Sequence, residues 1–158
     1  MSRLNHQIIY RKNENLINEE WKEIKYNPLS IDGIVVPEED YFEIHDEIIS
    51  WFFDIFNWVK MYNPSKNEET NGFCYGGITV IKDGSINKLN KIIKSLIDLF
   101  NNSPSEMILR GYLCCSNDEC CYRKINIGKD KIINILTKFN NITEKAIENG
   151  GYILHCGI

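Results

Sequence analysis

Apolar residues recur at helical spacing along three stretches of the chain. Leu89, Ile92, Ile93, Leu96, Ile97 and Phe100 predict a helix over about 86–101. Ile132, Ile133, Leu136, Phe139, Ala146 and Ile147 predict another over about 130–148, stopped by Gly150-Gly151. The third stretch opens at Pro37, followed by Glu38-Glu39-Asp40, where a fixed φ and first-turn carboxylates suit a helix start. Its apolar side is Tyr41, Phe42, Ile44, Ile48, Ile49, Phe52, Phe53, Ile55 and Phe56. A shorter helix is expected over 13–24, ending before Asn27-Pro28, with a loop through Asp32-Gly33 and Ile34-Val35-Val36 leading to Pro37.

Between these stretches lie strand patterns. Phe73 to Ile81 reads as a strand entered through the glycine-containing segment 71–77 and turned into the next helix by Asp83-Gly84-Ser85. A hairpin is expected at about 106–127 with Ser116 to Glu119 as its loop, and Tyr152-Ile153-Leu154-His155-Cys156 as a closing strand. His6-Gln7-Ile8-Ile9-Tyr10 reads as an edge segment. The order α-α-β-α-β-β-α-β predicts a single α+β domain over 1–158, with helices packed on a largely antiparallel sheet.

Composition agrees with one globular domain: 158 residues, 43% hydrophobic and 25% charged, enough to bury a core. The net charge of −4 argues against a general nucleic-acid binder. No apolar run approaches a membrane span, and Met-Ser-Arg-Leu-Asn-His is not followed by a signal-peptide core, so a cytoplasmic location is expected.

Charge is distributed unevenly. Residues 26–59 hold eight acids (Asp32, Glu38, Glu39, Asp40, Glu43, Asp46, Glu47 and Asp54) and no lysine or arginine, leaving the remainder net positive. On a helical wheel from Glu38, residues Glu39, Glu43, Asp46, Glu47, Ser50, Asp54 and Asn57 fall within an arc of about 100°. Trp51 and Trp58 fall at its border. Stacked carboxylates on one helix face repel, so this face is expected to meet solvent or a basic partner.

The six cysteines include Cys114-Cys115 and Cys120-Cys121, flanking the hairpin loop. Adjacent strand residues point to opposite faces, so Cys114 and Cys115 do not readily share one metal. The hairpin pairs Cys115 with Cys120 and Cys114 with Cys121. The expectation is small β-compatible thiols in a reducing compartment, with a metal site or a disulfide as the alternatives. His45 falls in the centre of the apolar arc and is expected as a buried core histidine. His6 and His155 are expected to carry no chemistry; His155 and Cys156 face opposite sides of their strand and form no dyad. Phe73-Cys74-Tyr75-Gly76-Gly77 fits neither a P-loop nor a dinucleotide fingerprint, and no complete catalytic or metal motif occurs.

In character, this small, acidic, Asn/Ile/Lys-rich chain resembles bacterial immunity proteins, the cytosolic antidotes to contact-dependent growth inhibition and other polymorphic toxins. The acidic stretch from Pro37 to Glu47, followed by Trp51 and Trp58, carries the resemblance. It implies a protein that binds a cognate toxin domain, commonly a basic nuclease, with carboxylates standing where the nuclease expects phosphate. Glu39, Glu43, Asp46, Glu47, Asp54, Trp51 and Trp58 are then the partner-binding residues, with no catalytic residue, metal or cofactor and no direct contact with nucleic acid or membrane. Two alternatives remain: a small cytosolic enzyme with a site near the glycine-rich strand 72–81 using His45, Cys74 or His155, and a metal-sensing or redox domain built on the cysteine hairpin.

Overall fold

The computed structural model of the chain describes residues 4–12, 30–31, 34–116 and 119–158. The helix expected over 13–24 lies outside them. The main sheet has six strands: β1 (Asn5–Arg11), β4 (Tyr41–His45), β5 (Lys60–Asn63), β6 (Glu68–Asn71), β7 (Ile78–Ile81) and β10 (Tyr152–Cys156). Their order is β4-β1-β10-β7-β5-β6, and every pairing is antiparallel. Two short strands, β2 (Ser30–Ile31) and β3 (Ile34–Val35), pair with each other. The long hairpin of β8 (Glu106–Ser116) and β9 (Glu119–Gly128) forms a separate ribbon. Helices α1 (Asp46–Phe56), α2 (Gly84–Asn101) and α3 (Lys129–Asn149) pack on one face of the main sheet. Among the described residues no helix is long and apolar enough to cross a membrane.

The two faces of the sheet bury different sets of side chains, as period-two alternation requires. Ile8, Tyr10, Ile81 and Ile153 join the helices' inward residues, including Phe52, Phe56, Leu89, Ile93, Leu136 and Phe139. Ile9, Ile78, Val80, Tyr152, Leu154 and Cys156 form a smaller cluster on the opposite face. Aromatic rings bind the larger core together: Phe139 meets Phe42, Phe56 and Phe73 at centroid distances of 5.5, 5.8 and 6.3 Å.

The helices at 84–101 and 129–149, the cysteine hairpin and the last strand stand within a few residues of their expected places. Three expectations are corrected. The stretch after Pro37 is not one helix: Glu38–Asp40 make a single 3-10 turn, Tyr41–His45 a strand, and the α-helix starts only at Asp46. Within Tyr41-Phe42-Glu43-Ile44-His45, Phe42 and Ile44 point inward while Glu43 and His45 point out. Pairing with β1 selects that alternation over the helical wheel. Residues 6–10 are not an edge segment, because β1 lies between β4 and β10. The strand expected from Phe73 begins at Ile78, and the hairpin of β5 and β6 had no clear signal.

Gly151 marks where α3 turns into β10. Its φ is +102°, and a Cβ there would lie 2.3 Å from the Arg11 carbonyl oxygen. Gly151→Ala is therefore expected to lower the unfolding free energy by about 2 kcal/mol in a urea titration. Gly77→Ala, with φ +99° but open space around the missing Cβ, should lose less and separates backbone strain from collision.

Candidate functional site

The acidic residues expected on one helix face are distributed over several elements. Glu38 and Glu39 are exposed on the 3-10 turn. Glu43 is exposed on β4, the outermost strand, and accepts hydrogen bonds from Asn5 Nδ2 (2.9 Å) and Gln7 Nε2 (3.2 Å) of the neighbouring strand. Asp40 is held by the Lys145 ammonium of α3. Glu47 is half-buried, with Arg123 Nε of β9 at 2.7 Å from its Oε1, close in charge though not aligned as a hydrogen bond. Thus, among the described residues, basic side chains from the rest of the chain neutralise Asp40 and Glu47; Asp32 lies outside those residues. Asp54 is exposed on α1.

The tryptophans divide as well. Trp51 is half-buried against Phe52 and Phe100, with centroids 5.1 and 5.7 Å away. Trp58 is 62% exposed, just before β5. Since β4 and β5 are first and fifth in the sheet, four strand spacings of roughly 4.8 Å separate the strand of Glu43 from the one that follows Trp58. The acidic edge and Trp58 do not make one contiguous patch.

Asp46 is corrected most sharply. It is 4% exposed, and its Oδ1 accepts from Ser50 Oγ at 3.2 Å and lies 3.1 Å from His6 Nε2. His6 Nδ1 is in turn 2.8 Å from His155 Nε2, and both histidines are fully buried. His6, His155 and Thr79 project from adjacent strands β1, β10 and β7 toward the helices, and Asp46 opens α1 above them. Phe53 and Tyr75 pack edge-on against His6, and Phe73 lies 4.5 Å from His155.

The proton positions follow from the acceptor at one end. A carboxylate only accepts, so His6 Nε2 carries hydrogen; in the neutral ring Nδ1 is then bare and receives the Nε2–H of His155. That leaves His155 Nδ1 as an unprotonated nitrogen with no hydrogen-bond partner among the described residues. Burial holds the His155 pKa well below its ordinary value of 6.5, and the neighbouring His6 adds to that. Burial also lowers His6, against the opposing pull of its hydrogen bond to Asp46 and of the Asp46 charge.

This chain was missed in the sequence because its two histidines are 149 positions apart. The available signal was phase: His6 alternates in step with Ile8 and Tyr10, and His155 with Ile153. His45, expected in the core, is instead exposed and caps α1, its Nδ1 accepting from Glu47 N at 3.3 Å.

The enzyme alternative calls for a cleft that reaches these side chains. One cleft of about 650 Å³ is lined by residues including Tyr10, Arg11, Asp40 and Lys145, and another of about 580 Å³ by Lys60, Tyr62, Lys82 and Lys88; neither is lined by His6 or His155. Cys74 accepts a hydrogen bond from Asn63 Nδ2 at 3.2 Å, and its amide donates to Thr79 Oγ1 at 2.9 Å. Cys156 faces the opposite side of β10 from His155, and burial pushes its thiol up to about 12.

At the hairpin tip the expected register holds, Cys115 opposite Cys120 and Cys114 opposite Cys121. Cys115 and Cys120 are joined as a disulfide, which corrects the expectation of free thiols at that pair; Cys121 is free and exposed. Among the described residues no group of three or more His, Cys, Asp or Glu side chains is arranged to hold a metal ion. Compared with known protein families, with curated proteins and with solved structures, the chain matches none.

Proposed function

We propose that this chain is an immunity-type binding module that neutralises a basic toxin domain, nuclease-like in its affinity for anions, by docking it along the β4 edge of the sheet. The observation that supports the reading best is the row Glu38, Glu39 and Glu43. All three are exposed beside the outermost strand, and none has an ion pair among the described residues. Asp40 and Glu47 are held by cations and Asp46 is buried. Among the described acids of 26–59, Glu38, Glu39 and Glu43, with Asp54, are therefore the carboxylates left to meet a partner, Glu39 also lying within the field of Lys145. Surface carboxylates of this kind steer a basic partner and raise the association rate, with a strong dependence on salt.

The test uses toxin domains encoded beside the gene, produced with this chain and scored for survival of the host cells. For a toxin that the chain neutralises, affinity is measured by calorimetry at low and moderate salt. Changing Glu38, Glu39 and Glu43 together to lysine is expected to weaken binding about a hundredfold or more at low salt, with the circular dichroism spectrum unchanged. Unchanged affinity in the folded triple variant removes the acidic edge as the docking site. Failure to protect against any neighbouring toxin removes the immunity reading itself.

A further inference from the structure

Among the described residues, the histidine chain is the buried titratable cluster that the proposed docking edge does not use. We propose that Asp46, His6 and His155 form an acid-operated latch, which ties β1 to β10 and to the start of α1 while both rings are neutral and opens when the cluster takes up a proton.

The hydrogen-bond polarity makes the latch one-way. From Asp46 outward, each link has one donor and one acceptor, and the outer end is a bare nitrogen in the interior. A proton added to the rings has two destinations. With both links kept, it becomes an N–H on His155 Nδ1 that has no acceptor. Placed between the rings, it sets two N–H groups against each other across 2.8 Å. Each arrangement leaves a buried donor unsatisfied, and an opened latch relieves it by admitting water.

Among the described residues, the groups packed around the cluster supply no second negative charge to offset another positive one. α1 contributes Asp46, Ser50 and Phe53, and β4 contributes His45, whose charge repels one on His6. The segment before β7 contributes Phe73 and Tyr75, and β7 itself Thr79 opposite His155. The inward residues of α3 are Ile132, Leu136, Phe139, Ile142, Thr143 and Ala146, all uncharged. Among the described residues Asp46 is the only carboxylate in contact, and it already accepts from His6 and Ser50.

The sign of the pH dependence follows. Both pKa values are lowered in the closed state, whereas exposed rings titrate near 6.5. Below about that pH the opened state binds more protons than the closed one. The latch is therefore at full strength above it and weakens as pH falls, by up to about tenfold per pH unit for each proton taken up.

Hydrogen exchange on the full chain between pH 7.5 and 5.5, corrected for the intrinsic rate, tests this. The opening constants of amides in Gln7–Ile9 and Leu154–Cys156 are expected to rise at least tenfold, while those at Leu89–Leu96 in α2 change little. His155→Gln is expected to reduce the slope of opening against pH to half or less. Equal protection at both pH values, an equal rise throughout α2, or an unchanged slope in the folded variant overturns the latch. Should the variant not fold, ring ¹⁵N shifts of the unaltered chain decide: both rings neutral with His155 Nδ1 bare at pH 7.5 supports it. A ring protonated at pH 5.5 with protection retained overturns it.

Discussion

Asp46→Ala is expected to lower the unfolding free energy by about 3 kcal/mol at pH 7.5, read from urea titrations followed by circular dichroism. The carboxylate accepts from His6 Nε2 and from Ser50 Oγ in a place that is 4% exposed. Its removal leaves a buried N–H without an acceptor, which by itself costs about 1–3 kcal/mol. It also removes a negative charge from the first turn of α1, worth a further 0.3–1 kcal/mol or so. Asp46→Asn keeps one acceptor oxygen in place and should lose clearly less. A loss below about 1 kcal/mol for the alanine variant would show that His6 finds another acceptor, and the histidine chain would then have no fixed end.

The second large effect is expected at Phe139. Its ring is 1% exposed and meets Phe42, Phe56 and Phe73, joining α3 to β4, α1 and the segment before β7. Phe139→Ala removes a buried ring from the middle of this cluster and should cost about 3–5 kcal/mol, transfer and cavity terms together. Domains of this size are stable by only about 5–15 kcal/mol, so the variant should unfold at much lower urea. Phe139→Leu fills most of the space and should recover over half of the loss. Because Phe73 touches both Phe139 and His155, the losses in a Phe139→Ala, Asp46→Ala double variant are expected not to add. Additive losses would mean that the aromatic cluster and the polar chain are mechanically separate.

What could be read from the sequence depended on how much of each signal was local. The helices at 84–101 and 129–149 each carry an apolar stripe over four or more turns, and no other element competes for those residues. The cysteine hairpin was readable down to its register, since turn and flanking strands are contiguous. The region from Pro37 to Phe56 misled because its carboxylates and apolar residues satisfy two periods at once. Tyr41 to His45 fit a strand as well as a helix, and only β1, more than 30 positions away, decides between them.

The same distance problem hid the buried cluster. In sequence Asp46 is indistinguishable from a surface acid, and only the fold brings His6 and His155 under it. The ion pairs from Lys145 to Asp40 and from Arg123 to Glu47 are equally invisible in sequence, so a helical wheel overstates the free acidic face.

The pairing of β1 with β10 bears on how the protein is made. Gln7 lies opposite Cys156 and Arg11 opposite Tyr152, so two adjacent inner strands come from opposite ends of the described chain. A ribosome delivers β1 long before its partner, and β1 also needs β10 to connect it to β7. Until residues 152–156 emerge, the sheet is split into a β4-β1 pair and a β7-β5-β6 group, each with an unpaired edge on its inner side. Closing a loop that spans nearly the whole chain is slow. During translation those open edges are where a chaperone would be expected to hold the nascent chain, and where it would aggregate if none did.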